Sequence, residues 1–374
     1  MDNINKEIKS KFLESTKLRL KSAKDGKLRV GPEFVSIGVS QVCNFNCTTC
    51  WSYSPLLKKQ IVLKREQIKI DKNLVFDLID DLAQMKCIKI LFSGFGEPFT
   101  HPSMMDFIKR TREKAILIYI QTNLSLVKDP SQLAKYLGSA ANLVCVNLSA
   151  AKPDTYTKIH PNQKRKTFYE VLKKIRILKS KNVPIRLVYI VNKLNYQEIP
   201  RALELNEKFK TRLHLELMDY DPGNGLDKIA LSRENKKELV QLLAKPKNKK
   251  EYLIRSNIVD FTNQLIYSAL GIKKVKSCSI GYFTSRINES GKVKYCCNRD
   301  KSIVMGNLNE KSFKDIWNSK EYCDLRTRLL RGKFLDVCQN CIKKRGYNFK
   351  VRMFTDPQTR NFKLEEKILD HYSL

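Results

Sequence analysis

The sequence predicts an α/β fold, a partial TIM-like (β/α)6 barrel followed by a small cysteine-rich domain. Short strands rich in Ile, Val and Leu alternate with amphipathic helices, polar motifs directly follow several strands, and six of the 11 cysteines crowd into the last quarter of the chain. Apolar strands joined by helices are typical of a parallel sheet with right-handed crossovers. In such a barrel ligands bind at the carboxyl ends of the strands.

The apolar runs and the helical periods place the elements of the barrel in order. The predicted strands are 34–40, 88–93, 116–121, 143–148, 185–191 and 213–218. The predicted helices between them are 73–85, 103–113, 130–137, 167–179 and 196–209. In the fourth of these helices Phe168, Val171 and Ile175 fall on one face and lysines on the other, which is the period of an amphipathic helix.

The same signals divide the chain into segments. We expect a basic helical segment at 1–33, the barrel at 34–220, a helical connector at 221–275, a cysteine-rich domain at 276–346 and a tail at 347–374. No run is apolar enough to span a membrane or to act as a secretory signal. Unpaired thiols then indicate a reducing, cytoplasmic location.

Three cysteines form a compact motif directly after the first strand. Cys43, Cys47 and Cys50 are separated by three residues and then by two. A four-iron, four-sulfur cluster has four corners, so three thiolates would leave one iron open to a ligand. A structural zinc needs a fourth ligand, and the neighbouring Cys87 and His101 lie beyond the loop in predicted secondary structure. A disulfide framework is typical of short secreted chains rather than of 374 residues.

A second polar motif, Gly94-Phe95-Gly96-Glu97-Pro98, follows the second strand. Its two glycines allow the backbone to approach a ligand, and Glu97 adds an anionic acceptor at the strand end. Asn123 and Ser149 occupy the corresponding ends of the third and fourth strands, where polar residues also serve as helix caps. Taken alone, each of these signals is also compatible with an ordinary turn.

Together these motifs resemble those of the radical S-adenosylmethionine (SAM) enzymes. Cys-x3-Cys-x2-Cys resembles their cluster motif, and the second motif resembles their Gly-Gly-Glu-Pro segment, which holds the amino group of SAM. The resemblance implies a SAM-binding [4Fe-4S] cluster held by Cys43, Cys47 and Cys50. It also implies SAM contacts from Gly94, Gly96, Glu97, Pro98, Asn123 and Ser149. Thr49 departs from the family pattern, which has an aromatic residue there, and His160 lies in a loop where relatives often place another contact.

The late cysteines predict a second metal site. Four thiols from a hairpin and a Cys-x2-Cys loop, Cys278, Cys296, Cys338 and Cys341, suit either tetrahedral zinc or a fully ligated cluster. Their setting, with Asp315-Ile316-Trp317-Asn318 and Arg326, resembles the SPASM extension in its shortened twitch form. That resemblance implies one auxiliary [4Fe-4S] cluster. Cys297 and Cys323 are then spare, with Cys297 as an alternative ligand.

The resemblance implies reductive cleavage of SAM to a 5′-deoxyadenosyl radical, with a flavodoxin- or ferredoxin-type electron donor. The shortened auxiliary domain is similar to that of an inosamine dehydrogenase. The leading hypothesis is therefore oxidation or epimerisation of a small-molecule substrate, namely a sugar, a cyclitol or a nucleotide-linked sugar. The alternatives are a peptide-modifying enzyme of the RiPP maturase type and a non-enzymatic zinc-binding protein.

The net charge of +33 would attract polyanions, since 71 Lys and Arg residues face 38 Asp and Glu residues. The basic residues are spread over helix faces, which favours solvated surfaces over a nucleic-acid groove. Phosphate-bearing small molecules fit the same charge. No catalytic base is assigned, although His214, Glu216, Asp219 and Tyr189 are placed near the predicted barrel mouth.

Overall fold

A single nine-stranded sheet organises the molecule. The computed structural model describes residues 2–58, 68–138, 142–244, 256–257, 261, 277–296 and 303–338. The strands are β1 (Phe34–Gly38), β2 (Lys89–Ser93), β3 (Leu117–Thr122), β4 (Leu143–Asn147), β5 (Ile185–Val191), β6 (Arg212–Leu217), β7 (Thr284–Ile287), β8 (Lys292–Lys294) and β9 (Val304–Asn307). Their order in the sheet is β6-β5-β4-β3-β2-β1-β7-β8-β9. The six predicted barrel strands are confirmed within a few residues at each end.

The helices lie between the strands as the sequence predicts. They are α1 (Asp2–Asp25), α2 (Lys72–Gln84), α3 (Met104–Glu113), α4 (Pro130–Leu137), α5 (Pro153–Ile159), α6 (Arg165–Ser180), α7 (Ile199–Lys208), α8 (Arg233–Ala244), α9 (Phe313–Asn318) and α10 (Lys320–Leu330). The predicted helix 196–209 is split into a 3-10 turn and α7, because Pro200 lacks an N–H and fits only a first helical turn. The short helix α5 was not predicted.

The cysteine-rich region continues the barrel sheet. Strands β1 to β6 pair in parallel, and β7 adds in parallel to the other edge of β1, so that Ser36 pairs with both Leu91 and Arg286. β8 and β9 then follow in antiparallel pairing. The sequence predicts the hairpin of β7 and β8 but not its attachment to β1.

The sheet has two different faces. Val35, Ile37 and Ile90 belong to the main core, whereas the alternating residues of the same strands lie on the opposite, inner face. Leu143, Cys145 and Val188 form a separate buried cluster on that inner face. Tyr189 was expected near the barrel mouth and instead belongs to the main core, where its hydroxyl donates to the carbonyl of Asn195.

Helix α1 covers the amino ends of the strands. Leu20 and Ala23 pack with Ile88 and Leu117. The fully buried Arg19 guanidinium donates to three backbone carbonyls, those of Gly31, Pro32 and Lys86. These charge-assisted hydrogen bonds satisfy an otherwise costly buried charge. None of the described helices has the length and the apolar content needed to cross a membrane.

Candidate functional site

The three clustered cysteines lie in the loop that follows β1, where backbone N–H groups point at two of the sulfurs. The N–H of Phe45 lies 3.4 Å from Cys43 Sγ, and those of Ser52 and Tyr53 lie 3.4 and 3.3 Å from Cys50 Sγ. Hydrogen bonds of this kind stabilise a metal-bound thiolate and tune the potential of an iron–sulfur cluster. The loop is therefore built to hold sulfur ligands.

The third sulfur, that of Cys47, is in contact with His160. The imidazole Nδ1 lies 3.1 Å from Cys47 Sγ, and Nε2 lies 3.4 Å from the carbonyl of Leu148. Burial lowers the pKa of His160 to about 4, so the ring is neutral and Nε2–H is the donor to Leu148. The sequence placed His160 in a loop near SAM; the structure brings it to the cysteine motif, a contact that no local signal reveals.

Burial and the neighbouring thiols Cys50 and Cys43 raise the pKa of Cys47 well above its usual range. The raised pKa favours the protonated thiol. A bound metal favours the thiolate instead, because only the thiolate is a metal ligand. Among the described residues no three His, Cys, Asp or Glu side chains are grouped to hold a single ion. An iron–sulfur cluster makes a different demand, since each thiolate binds its own iron. Three thiols with N–H donors at two of them therefore fit such a cluster.

Neighbouring elements fix the position of the cysteine loop. The N–H and hydroxyl of Thr48 donate to the carbonyl of Ile159 at the end of α5. The ring of Phe45 packs 5.1 Å from that of His160 and 6.4 Å from that of Tyr156. The helix α5, which the sequence analysis missed, thus serves as a support for this loop.

The Gly94 to Pro98 segment packs directly on the backbone that leads into the cysteine loop. The N–H groups of Gly96 and Glu97 donate to the carbonyls of Ser40 and Val42, both at 2.9 Å. A Cβ on Gly96 would lie 2.1 Å from the Val42 carbonyl oxygen. Gly94 has a φ of +147°, which side-chain-bearing residues rarely adopt. Both glycines are therefore required by the close approach of the two loops.

Glu97 is buried and joins this segment to the end of β3. Its Oε1 accepts from the Thr122 hydroxyl at 2.6 Å and from the Phe99 N–H at 3.3 Å, and its Oε2 accepts from the Asn123 N–H at 2.7 Å. Burial raises the pKa of Glu97 to about 7, although these three donors favour the ionised form. Pro98 begins the 3-10 turn Pro98–Thr100. Glu97 is thus a structural cap as well as a candidate ligand.

The other two predicted SAM contacts bind neighbouring parts of the chain. The Asn123 amide donates to Asn44 in the cysteine loop at 2.9 Å. The Ser149 hydroxyl donates to Asn147 at 2.8 Å and accepts from the Ile190 N–H at 3.1 Å, and this residue has a positive φ of 50°. Asn123 lies beside the cysteine loop, whereas Ser149 is fully buried between β4 and β5. Their contacts with SAM remain predictions.

Three of the four predicted auxiliary ligands lie in described residues. Cys278 precedes β7 and donates its N–H to the carbonyl of Leu329, Cys296 follows β8, and Cys338 ends the turn Asp336–Cys338. The rings of Tyr295 and Tyr322 lie 5.2 Å apart, and Tyr295 directly precedes Cys296 in the sequence. This aromatic pair therefore includes the residue next to one predicted ligand. Cys341 and the alternative ligand Cys297 lie outside the described residues.

Arg326 is buried in the auxiliary region and connects several of its segments. Its guanidinium donates to the carbonyls of Gly281 and Trp317 at 2.8 Å each, and it lies 4.2 Å from the ring centroid of Trp317 and 4.0 Å from that of Tyr322. Only 1% of its surface is exposed. Planar stacking and two directed hydrogen bonds are contacts that a lysine ammonium does not reproduce.

Arg326→Lys is expected to destabilise the protein by about 2–3 kcal/mol. Two buried carbonyls would lose their donors, and the rings of Trp317 and Tyr322 would lose the guanidinium that stacks on them. Thermal unfolding and the iron content of the purified protein measure the effect. Arg328→Lys is the matched control, since Arg328 is exposed on the same helix. Equal melting temperatures for the two variants would contradict this role for Arg326.

The structure also places on the inner face of the sheet cationic side chains that sequence analysis did not single out. Arg286 in β7 lies in the register row of Ser36, and its guanidinium is 5.5 Å from the ring of Phe95. Arg186 in β5 pairs in register with Cys145 in β4 and with Arg212 in β6. The alternation of polar and apolar residues within these strands could have shown that the arginines lie on the face opposite the main core. These arginines share the inner face of the sheet with the apolar cluster of Leu143, Cys145 and Val188.

Two family models match the chain. Residues 37–205 match the radical SAM superfamily, and residues 278–342 match the SPASM iron–sulfur cluster-binding domain. The first region contains the cysteine loop and the Gly94 to Pro98 segment. The second contains the predicted auxiliary cysteines.

Similar proteins match most of this chain at low sequence identity. One is the tungsten-containing aldehyde ferredoxin oxidoreductase cofactor-modifying protein of Pyrococcus furiosus, 21% identical over 85% of this chain and 89% of that protein. Another is the PqqA peptide cyclase of Granulibacter bethesdensis, 23% identical over 74% of this chain and 71% of that protein. Among solved structures, SuiB of Streptococcus suis bound to precursor peptide SuiA has a TM-score of 0.58 with 15% identity, over 84% of this chain and 71% of SuiB. At this identity the structural match shows a common fold.

Proposed function

Because the chain belongs to the radical SAM superfamily and carries a C-terminal SPASM domain, we propose that it is an enzyme that modifies a peptide by radical chemistry. The radical SAM domain binds a [4Fe-4S] cluster and SAM, and the SPASM domain binds an auxiliary iron–sulfur cluster. The observation that carries the proposal is the packing of the three-cysteine loop against the Gly94 to Pro98 segment at the carboxyl ends of β1 and β2.

Each part of the site has a distinct task in this proposal. Cys43, Cys47 and Cys50 would hold the cluster, which, once reduced by an external electron donor, would supply the one electron that splits SAM into methionine and a 5′-deoxyadenosyl radical. Gly94 and Gly96 let the backbone approach the amino-acid end of SAM. A reactive carbon radical requires a site without water, so the surrounding loops would have to exclude water during the reaction.

Peptide substrates are supported by the relatives. Two proteins similar to this chain are named for a peptide: the PqqA peptide cyclase, and SuiB in its structure bound to precursor peptide SuiA. Neither match exceeds 25% identity, so the substrate class is our inference from a common architecture. An enzyme of this kind would oxidise or cross-link a side chain of a held peptide.

A nucleotide-linked sugar or another phosphate-bearing small molecule is the second candidate substrate. Arg186, Arg212 and Arg286 all lie in inner-face register rows of the sheet. Guanidinium groups bind phosphate and carboxylate oxygens in a bidentate manner. Arg286, whose guanidinium lies 5.5 Å from the ring of Phe95 in the Gly94 to Pro98 segment, would therefore suit an anionic substrate of either class.

The first experiment tests SAM cleavage. Anaerobically reconstituted protein is mixed with SAM and dithionite, and 5′-deoxyadenosine is measured by chromatography. We expect its formation to depend on protein, reductant and reconstituted iron. Zinc without iron or sulfide in anaerobically purified protein would overturn the proposal.

The second experiment separates the substrate classes. Short peptides encoded beside the gene are compared with sugar phosphates and nucleotide sugars for stimulation of 5′-deoxyadenosine formation and for a mass change in the added compound. A mass change in a peptide supports the main proposal. A mass change in a nucleotide sugar alone would replace it with the second candidate.

Cys338→Ala tests the auxiliary site. We expect the variant to lose about half of its iron, because one of two four-iron clusters is disrupted. SAM cleavage should persist while net oxidation of substrate is blocked, since the substrate radical has then lost its electron acceptor. Iron analysis and product quantification measure the two effects. Cys323→Ala is the control and should retain both, because Cys323 is not among the predicted ligands.

A further inference from the structure

The cysteine loop reaches the surface of the molecule beside the loop that follows α5. Asn46 directly precedes Cys47, and its N–H donates to the side chain of the exposed Asn162 at 3.2 Å. The N–H of Asn162 donates back to the side chain of Asn46 at 3.2 Å, and its amide donates to the carbonyl of Asn44 at 2.9 Å. The exterior of the protein therefore begins one residue away from a predicted cluster ligand.

The end of α5 gives a second short connection from the surface to the cysteine loop. The carbonyl of Ile159 accepts hydrogen bonds from the N–H and the hydroxyl of Thr48, at 2.8 and 3.3 Å. Thr48 follows Cys47, and Lys158, which precedes Ile159, is exposed. A partner bound at Lys158 would thus be separated from Cys47 by two residues and one hydrogen bond.

Cationic side chains occupy this part of the surface. Lys158 and Lys164 are exposed on either side of the loop that carries Asn162. Lys158 also lines a cavity of about 490 Å³ between the α5 and α7 regions. The charged residues that line this cavity are Lys152, Lys158, Lys193, Arg201, Glu198 and Glu204.

Two acids of this region already have partners, whereas several of its cations do not. Glu198 accepts from the Thr155 hydroxyl at 2.5 Å, and Asp154 forms an ion pair with Arg165. Within the part of the chain that the structure describes, no ion pair is formed by Lys158, Lys164 or Lys193. Exposed cations of this kind attract a partner with a negatively charged surface and steer its approach.

We infer that the surface formed by Lys158, Lys164, Lys193 and the exposed Asn162 is the docking site of an acidic electron-carrier protein of the flavodoxin or ferredoxin type. The inference rests on the proposed function, which needs one electron for each SAM cleaved. The reduced carrier is oxidised by one electron, and the cluster held by the cysteine loop is reduced by one.

The position of this docking site favours a carrier over an acidic peptide substrate. Tyr156 of α5 and Leu203 of α7 belong to the main core, so both helices pack on the side of the sheet opposite its inner face. A peptide has to reach the inner face, where the carboxyl ends of the strands surround the reacting atoms. An electron carrier only has to approach the cysteine loop from outside.

A triple variant, Lys158→Gln with Lys164→Gln and Lys193→Gln, tests the inference. Its matched control removes the same charge from exposed positions of α3, α4 and α8, through Lys109→Gln, Lys135→Gln and Lys237→Gln. Reconstituted full-length protein is titrated anaerobically with a recombinant acidic flavodoxin at low ionic strength, and binding is measured by calorimetry. We expect the dissociation constant to rise about tenfold or more in the first variant and less than about threefold in the control.

SAM cleavage with two reductants separates docking from other effects. With flavodoxin, the first variant should need about tenfold more carrier for half of its maximal rate. With dithionite, a small reductant that needs no docking site, its rate should stay within about twofold of that of the parent.

Equal flavodoxin affinities for the two triple variants would overturn the inference. Loss of the dithionite-driven rate would also overturn it, because the substitutions would then have damaged the cysteine loop. An unchanged response to flavodoxin with a raised KM for a peptide would assign this surface to the substrate instead. A parent protein that cleaves no SAM even with dithionite would overturn the proposed function itself.

Discussion

Cys47→Ala is expected to reduce SAM cleavage at least about a thousandfold, which corresponds to about 4 kcal/mol of activation free energy. The reason is that one of the three predicted thiolate ligands is lost, and the contact between Cys47 and His160 is lost with it. SAM can then no longer bind at an open iron of an intact cluster. The production of 5′-deoxyadenosine under reducing conditions measures the effect, and iron analysis should show that the auxiliary iron is retained.

The control for this experiment is Cys87→Ala. Cys87 is a buried cysteine outside the motif, two residues before β2, where its thiol is near the carbonyl of Glu33. This variant should cleave SAM at nearly the parental rate. Cleavage by Cys47→Ala at that same rate would show that the cysteine motif is not the site of SAM chemistry.

Gly96→Ala is expected to destabilise the protein by about 3 kcal/mol and to weaken SAM binding severely. The new methyl group would lie 2.1 Å from the Val42 carbonyl oxygen and 2.6 Å from the Gln41 carbonyl carbon. Both atoms belong to the backbone that leads into the cysteine loop, so the clash cannot be relieved by a side-chain rotation. Chemical denaturation and equilibrium binding of SAM measure the two effects.

Gly138→Ala is the matched control for this substitution. Gly138 has a φ of −67°, and the nearest atom to its added Cβ is the Ala134 carbonyl oxygen at 3.3 Å. This variant should lose less than about 1 kcal/mol, because a contact of that length needs only a small adjustment. If Gly96→Ala were as stable as Gly138→Ala, the close packing of the two loops would be incorrect.

Much of the barrel could be predicted because its signals are local. The apolar runs of β1 to β6 and the period of α6 each depend on residues a few positions apart, and the strand-end position of Cys43 to Cys50 follows from them. The segment Pro153–Ile159 was missed because seven residues give too short a helical period. Tyr189 was placed near the barrel mouth although it belongs to the main core, because the consecutive apolar residues 187–191 do not reveal which side of the strand faces the helices.

The sequence by itself determined the order of the strands along the chain, the three-cysteine loop and the glycines that follow β2. Each of these features is encoded within a few neighbouring residues. Only the tertiary structure decided that β7 pairs with β1, that His160 contacts Cys47 and that Glu289 lies against Phe95. These partners are separated by about 110 to 250 positions. Which of many compatible side chains meet over such separations is decided by the packing of the whole sheet and its helices, and no local pattern records that choice.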